Sequence, residues 1–178
     1  MHMDTSINDQ KMPAIFIGHG NPVNALKDNE YTKTLTRLGQ NLPRPSAILC
    51  ISAHWLTKGS YVTQAENPKT IHDFYGFPPE LFAVQYPAKG CPKLAEQICN
   101  LIQQPKIQPN NNWGLDHGTW SVLKHIYPLA NIPVLQLSID IAQPPEFHFE
   151  LGKQLKILRQ QGVLIIGRSE ERRVGKEC

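Results

Sequence analysis

Two histidines stand where an apolar run gives way to small or polar residues. His19 lies in Gly18-His19-Gly20-Asn21-Pro22, directly after Ala14-Ile15-Phe16-Ile17. His54 lies in Ser52-Ala53-His54-Trp55, directly after Ala47-Ile48-Leu49-Cys50-Ile51. Neutral imidazole suits iron, zinc, copper or nickel, and the glycines beside His19 leave its ring open to approach. A single histidine at a strand end is more often the partner of a loop carbonyl than a ligand. Two at equivalent ends favour a shared metal, because neighbouring strand ends lie roughly 5 Å apart.

A third polar cluster is Asp116-His117-Gly118-Thr119-Trp120. His117 is a candidate proton donor or substrate contact. Asp116 either fixes the tautomer of the histidine beside it or caps a helix, and the two readings have equal weight. His72-Asp73-Phe74-Tyr75-Gly76-Phe77-Pro78 is a loop rich in aromatics. It is either one wall of a pocket for a flat ring or a satellite core under a loop. His125 and His148 fall within expected helices and read as surface or core residues. Asp140 reads more readily as a cap than as a support for a ligand. The glycines around His19 do not extend to a dinucleotide fingerprint, and no P-loop or GxSxG nucleophile elbow occurs.

The elements that must position these residues show in the hydrophobic pattern. Apolar runs over 14–17 and 163–166 and the mainly apolar segments 47–52 and 134–138 predict buried strands, with 61–65 a further candidate. Gly18 ends the first and Gly167 cuts the last short. Asn29 caps an expected helix over 30–38 that Gly39 closes. Leu94, Ile98, Leu101 and Ile102 mark an amphipathic helix, residues 118–126 form a short one, and Phe147, Leu151, Leu155 and Leu158 line another that Gly162 ends. Strands alternating with helices predict an α/β fold with a mostly parallel central sheet and flanking helices. Ligands of such sheets bind beyond the carboxyl ends of the strands, which is where His19 and His54 fall.

The chain of 178 residues, 40% hydrophobic and 19% charged, fits one domain with a real core. Its net charge of +3 comes from scattered residues with no basic stripe, so nucleic acid is not an expected partner. No apolar stretch is long enough to cross a bilayer, and residues 1–11 are polar, without the apolar segment of a secretory signal. Four cysteines (Cys50, Cys91, Cys99, Cys178) form no CxxC pair, which fits reduced thiols in a cytoplasmic protein. Oligomeric state is not readable.

Taken in order, these motifs resemble one family. The runs 13–22, 52–55, 70–78 and 116–120, with Gln136-Leu137-Ser138-Ile139-Asp140, are similar to the DOPA 4,5-dioxygenase branch of the class III extradiol ring-cleavage dioxygenases. The resemblance implies a mononuclear non-haem centre, Fe(II) or Zn(II), with His19 and His54 as metal ligands. It implies His117 as the catalytic proton-handling and substrate-binding histidine, with His72 as a second substrate contact. The expected reactants are a small catechol such as DOPA and O2. A catechol chelates such a metal through both oxygens while an open position admits oxygen.

The resemblance spans residues 12–167, the expected catalytic domain, between a flexible N-terminus (1–11) and a tail (168–178) that matches nothing in the family. That tail holds four basic and three acidic side chains. It is expected to be a truncation or sequence artefact, so that this chain lacks the family's third metal ligand and is inactive alone. Two other functions compete: a catalytically silent binding protein on the same scaffold, like the related Memo proteins, and a zinc hydrolase, ranked lowest because no nucleophile or general-base carboxylate motif supports it.

Overall fold

The computed structural model describes residues 11–169. Six strands form one sheet in the order β1-β6-β2-β5-β3-β4: β1 (Ala14–Gly18), β2 (Ala47–Thr57), β3 (Ser60–Thr63), β4 (Ile107–Asn110), β5 (Val134–Asp140) and β6 (Val163–Ser169). All neighbouring pairs are parallel except β3 with β5. The expected mostly parallel sheet is therefore the observed one.

Both faces of the middle of the sheet are covered, which is why β6 and the first half of β2 read as unbroken apolar runs rather than alternating ones. Ile48 and Cys50 of β2 and Leu164 and Ile166 of β6 point to one side. They meet Leu35 of α1 (Glu30–Asn41) and Trp120, Leu123 and Ile126 of α4 (His117–Ile126). Their sequence neighbours Ala47, Leu49 and Val163 point to the other side. There they pack with Ala95 and Ile98 of α3 (Pro92–Leu101) and Leu151 and Leu155 of α5 (Pro145–Leu155). Each fully buried side chain of this size contributes roughly 1.5–3 kcal/mol. A one-turn α2 (Pro79–Phe82) closes the aromatic loop, and a 3-10 segment, Lys156–Gln161, extends α5 to Gly162.

The capping residue expected for α1 is in place. The Asn29 side chain accepts from the Thr32 amide, while the Thr32 hydroxyl accepts from the Asn29 amide. The expected end of that helix is not. Gly39 lies inside α1, which runs on to Asn41. A Cβ at position 39 would sit 2.1 Å from the Ile126 carbonyl oxygen, so the glycine lets α1 lie against the end of α4.

Two strand limits also differ from the sequence expectation. β2 does not stop at Ser52 but continues to Thr57 through an irregularity in its pairing with β5 between Ile51 and Leu56. β6 is not cut short at Gly167. It adds Arg168 and Ser169, which pair with Ile17 and Gly18 of β1. The short β4, with only Ile107 buried and a proline inside, carries too little pattern to be read from sequence.

Candidate metal centre

His19 is the first residue beyond β1. Its amide donates to the Ser169 carbonyl (3.0 Å), extending the β1–β6 ladder by one step, and the Tyr31 hydroxyl donates to the preceding Gly18 carbonyl (2.7 Å). The ring is 1% exposed.

His54 sits inside the irregularity of β2 rather than past the end of the strand. The Ser52 hydroxyl oxygen accepts from the amides of His54 (3.2 Å) and Trp55 (2.9 Å), folding the strand back on itself for one turn. A bulge of this kind re-aims a side chain. The re-aiming is needed, because β6 lies between β1 and β2 and the two histidines are not on adjacent strands.

His117 is the first residue of α4, whose cap is Asp116: the carboxylate accepts from the Thr119 amide (3.1 Å). That decides the open question about Asp116. Its carboxylate is wholly buried and bound to the Arg168 guanidinium, the Ser52 hydroxyl and the Gln136 side-chain amide, and it does not touch the His117 ring. Arg168 in turn donates to Thr119 Oγ1 (3.1 Å) and Ser52 Oγ (2.9 Å). The pair is wholly buried and most of its polar atoms are hydrogen-bonded, which is how such charges are tolerated in a core, although Arg168 Nη1 has no hydrogen-bond partner.

The three imidazoles converge. His19 Nε2 and His54 Nε2 are 3.0 Å apart, and one ligand atom from each of His19, His54 and His117 lies within 4.8 Å of the others. Ring centroids are 4.9 Å (His19–His54), 5.3 Å (His19–His117) and 4.2 Å (His54–His117) apart. Burial, then the positive charge of Arg168 and the neighbouring imidazoles, pushes His19 down to about 3 against the pull of Asp116. Burial and then His117 and Arg168 lower His54 as well, opposed by Asp116 and Asp73. Both rings are thus held neutral, the form that binds metal.

The donor set fits an ion. Two nitrogens sharing one metal through bonds of roughly 2.1 Å stand about 3 Å apart. The ring of His19 has its other nitrogen, Nδ1, buried without a hydrogen-bond partner.

Sequence reasoning gave Asp73 no role of its own. Its Oδ1 accepts from both the backbone amide and the Nδ1–H of His117, each at 2.9 Å, and its Oδ2 lies 3.9 Å from His54 Nδ1. Burial works to raise this carboxyl, but the hydrogen bonds from His117 outweigh it and bring it down to about 2. The aromatic loop thus reaches the centre through Asp73, and through Phe74, whose ring stands edge-on to His117 at 5.5 Å.

His72 lies outside the group of three. Its Nε2–H is engaged by the Val84 carbonyl (2.9 Å), and its ring packs with Phe74, Phe82 and Trp120. His125 and His148 likewise bond carbonyls, those of Asn24 and Asp140. The Asp140 carboxylate accepts from the Ala142 amide, as a turn cap does.

Residues 13–168 match the family model of the catalytic LigB subunit of aromatic ring-opening dioxygenase. The chain belongs to this LigB family. Among curated proteins it is 48% identical over 164 residues to a 4,5-DOPA dioxygenase extradiol of Escherichia coli (strain K12), an alignment that covers 92% of this chain and 60% of the relative. It is 38% identical to the Beta vulgaris protein of the same name, over 89% of this chain and 62% of that one. Among solved structures, an uncharacterized Escherichia coli K12 protein, JW3007, superposes with a TM-score of 0.74 at 43% identity, over 89% of this chain and 59% of that one. The chain thus spans about three fifths of the length of these LigB relatives. Among the described residues, no helix is long and apolar enough to cross a membrane.

Proposed function

We propose that the chain carries the metal centre of an extradiol dioxygenase, a LigB-family enzyme that opens a catechol ring with O2. The observation that carries this reading is the convergence of three imidazoles, two of them held neutral by burial, at the carboxyl end of a parallel sheet. Residues 12–167 form the proposed catalytic domain. Catechols such as DOPA are the proposed substrate class, on the strength of the names of the relatives.

In this proposal His19 and His54 hold the ion, and iron(II) is the working metal. Iron(II) supplies a Lewis acid for the catechol oxygens and a redox-active partner for O2, whereas zinc, without redox chemistry, fills the same ligands without supporting oxygenation. Burial favours the unprotonated form of both rings through the neutral pH range.

His117 takes the catechol proton. Its Nδ1–H is held by Asp73, so Nε2 is the nitrogen with a lone pair to offer. Phe74, edge-on to His117, forms one wall against which a flat ring lies. His72 contributes to that wall through the loop it anchors at Val84, not through a free ring nitrogen.

The ligand-atom spacing also supports a second role for His117, as a third metal ligand. His117→Ala separates the two roles. A proton-handling His117 leaves metal content intact and lowers turnover 10²–10⁴-fold, the range of general acid–base contributions. A ligating His117 loses metal and turnover together.

The activity itself is tested by following O2 consumption with a catechol in a version of the chain extended to the full length of its LigB relatives, because the 178 residues alone are expected to be inactive, after loading anaerobically with iron(II) or with zinc(II). One O2 consumed per catechol opened, in the iron form alone, supports the proposal. Bound iron with no oxygen uptake contradicts it.

A further inference from the structure

We propose that Asp73 is a positioning residue for the centre, holding His117 as the Nδ1–H tautomer and serving His54 from the same carboxylate. The proposal rests on reading the three histidines as a metal centre, and deepens it.

The geometry is that of a carboxylate placed behind two imidazoles. Oδ1 accepts twice from His117, at the ring Nδ1 and at the backbone amide, both at 2.9 Å. Oδ2 faces His54 Nδ1 at 3.9 Å, too far for a direct hydrogen bond but close enough for its charge to act on the ring. Asp73 therefore stands on the Nδ1 side of both rings, while His54 turns its Nε2 toward His19. A carboxylate on the far nitrogen of a ligating imidazole fixes the ring and raises its basicity.

Asp73 is itself held in place. Thr70 bridges to Leu115, the Ile71 amide donates to the Leu115 carbonyl (2.7 Å), and the Trp120 indole N–H donates to the Ile71 carbonyl (2.7 Å). His72, beside Asp73, donates to Val84 and closes the loop on itself. The residues just before Asp73 are thereby tied to the start of α4, and the ring of His117 cannot turn without losing its hydrogen bond to Asp73.

A purely structural role would be satisfied by the backbone contact alone, since the His117 amide is one of the donors left without an intrahelical partner at a helix start. The two roles separate in a pair of variants. In Asp73→Asn the amide oxygen still accepts from both His117 donors, while the charge is gone. In Asp73→Ala both hydrogen bonds are lost.

The measurements are long-range ¹H–¹⁵N correlation spectra of the histidine side chains in metal-free protein, and Co(II) affinity by competition with a chromophoric chelator. In wild type and Asp73→Asn, His117 should show protonated Nδ1 and unprotonated Nε2. In Asp73→Ala the Nε2–H form that an unconstrained histidine favours should appear. Co(II) affinity should fall about tenfold in Asp73→Asn and 10–100-fold in Asp73→Ala.

An unchanged His117 tautomer in a folded Asp73→Ala protein overturns the proposal, as does wild-type Co(II) affinity in Asp73→Asn. Wild-type protein that binds no Co(II) refutes the metal centre instead, and the tautomer measurement then still decides whether Asp73 positions His117.

Discussion

His19 Nε2 and His54 Nε2 meet at 3.0 Å although β6 lies between the strands that carry them. Two strand steps of about 4.8 Å each would hold straight-ended strands nearly 10 Å apart. The gap is closed by the fold-back of β2 after Ile51, where one hydroxyl, that of Ser52, accepts the amides of both His54 and Trp55. The meeting of the two rings therefore depends on a serine whose hydroxyl bonds backbone amides, Arg168 and Asp116 rather than the histidine rings.

Ser52→Ala tests that dependence. The substitution removes the acceptor for two amides and for Arg168, and the donor to Asp116, all buried except the half-buried His54 amide. Leaving such groups unpaired costs roughly 1–3 kcal/mol each. The expected result is a clear loss of stability in chemical denaturation, with Co(II) affinity falling at least tenfold. Native affinity in Ser52→Ala would show that the bulge holds His54 without the hydroxyl.

Gly39→Ala is expected to destabilise, although alanine is the better helix former by about 1 kcal/mol. The added Cβ would meet the backbone carbonyl of Ile126 at 2.1 Å, and a backbone group at a helix end does not swing aside as a side-chain tip does. Overpacking of this kind costs typically 1–3 kcal/mol. A thermal melt should show a lower midpoint; an unchanged or higher one would mean that α1 and α4 separate freely.

Much of the fold was legible because β2 and β6, at the middle of the sheet, are largely buried. The apolar runs at Ala14, Ala47 and Val163 hold no polar position over their first four residues to confuse a strand with a loop. The same property concealed where strands end. Arg168 looks like the start of a charged tail, yet it continues β6 because Asp116 lies beneath it, 52 residues earlier in sequence.

His19 and His54 were legible as a pair because each follows an apolar run. Asp73 was not: its partner His117 lies 44 residues away, and no spacing rule links a loop acid to a helix start. Gly39 misled for a related reason, since a glycine kept for close packing looks in sequence like one kept for a helix end.

Cys50 gives a pH dependence with a definite sign. Complete burial pushes its thiol up from 9 to about 12, with Arg168 pulling down against Asp116. Between those values the unfolded chain releases the proton and the folded one keeps it, so stability falls as pH rises from about 9 toward 12, with no contribution below 9. The buried Tyr86 and Tyr127 hydroxyls, also raised, add to the same trend at higher pH. Cys50→Ala should therefore show a shallower loss of stability between pH 9 and 11 than wild type, in denaturant titrations at each pH. Parallel curves for the two proteins would show that the thiol ionises as readily in the fold as outside it.

The central claim is that His19 and His54 share one metal ion, and the most direct measurement is a Co(II) titration followed by visible absorption in wild type, His19→Ala and His54→Ala. The expected result is one ion per wild-type chain, with the ligand-field bands abolished in both variants while circular dichroism shows each still folded. Binding of Co(II) at wild-type affinity with unchanged bands in either folded variant would contradict the claim.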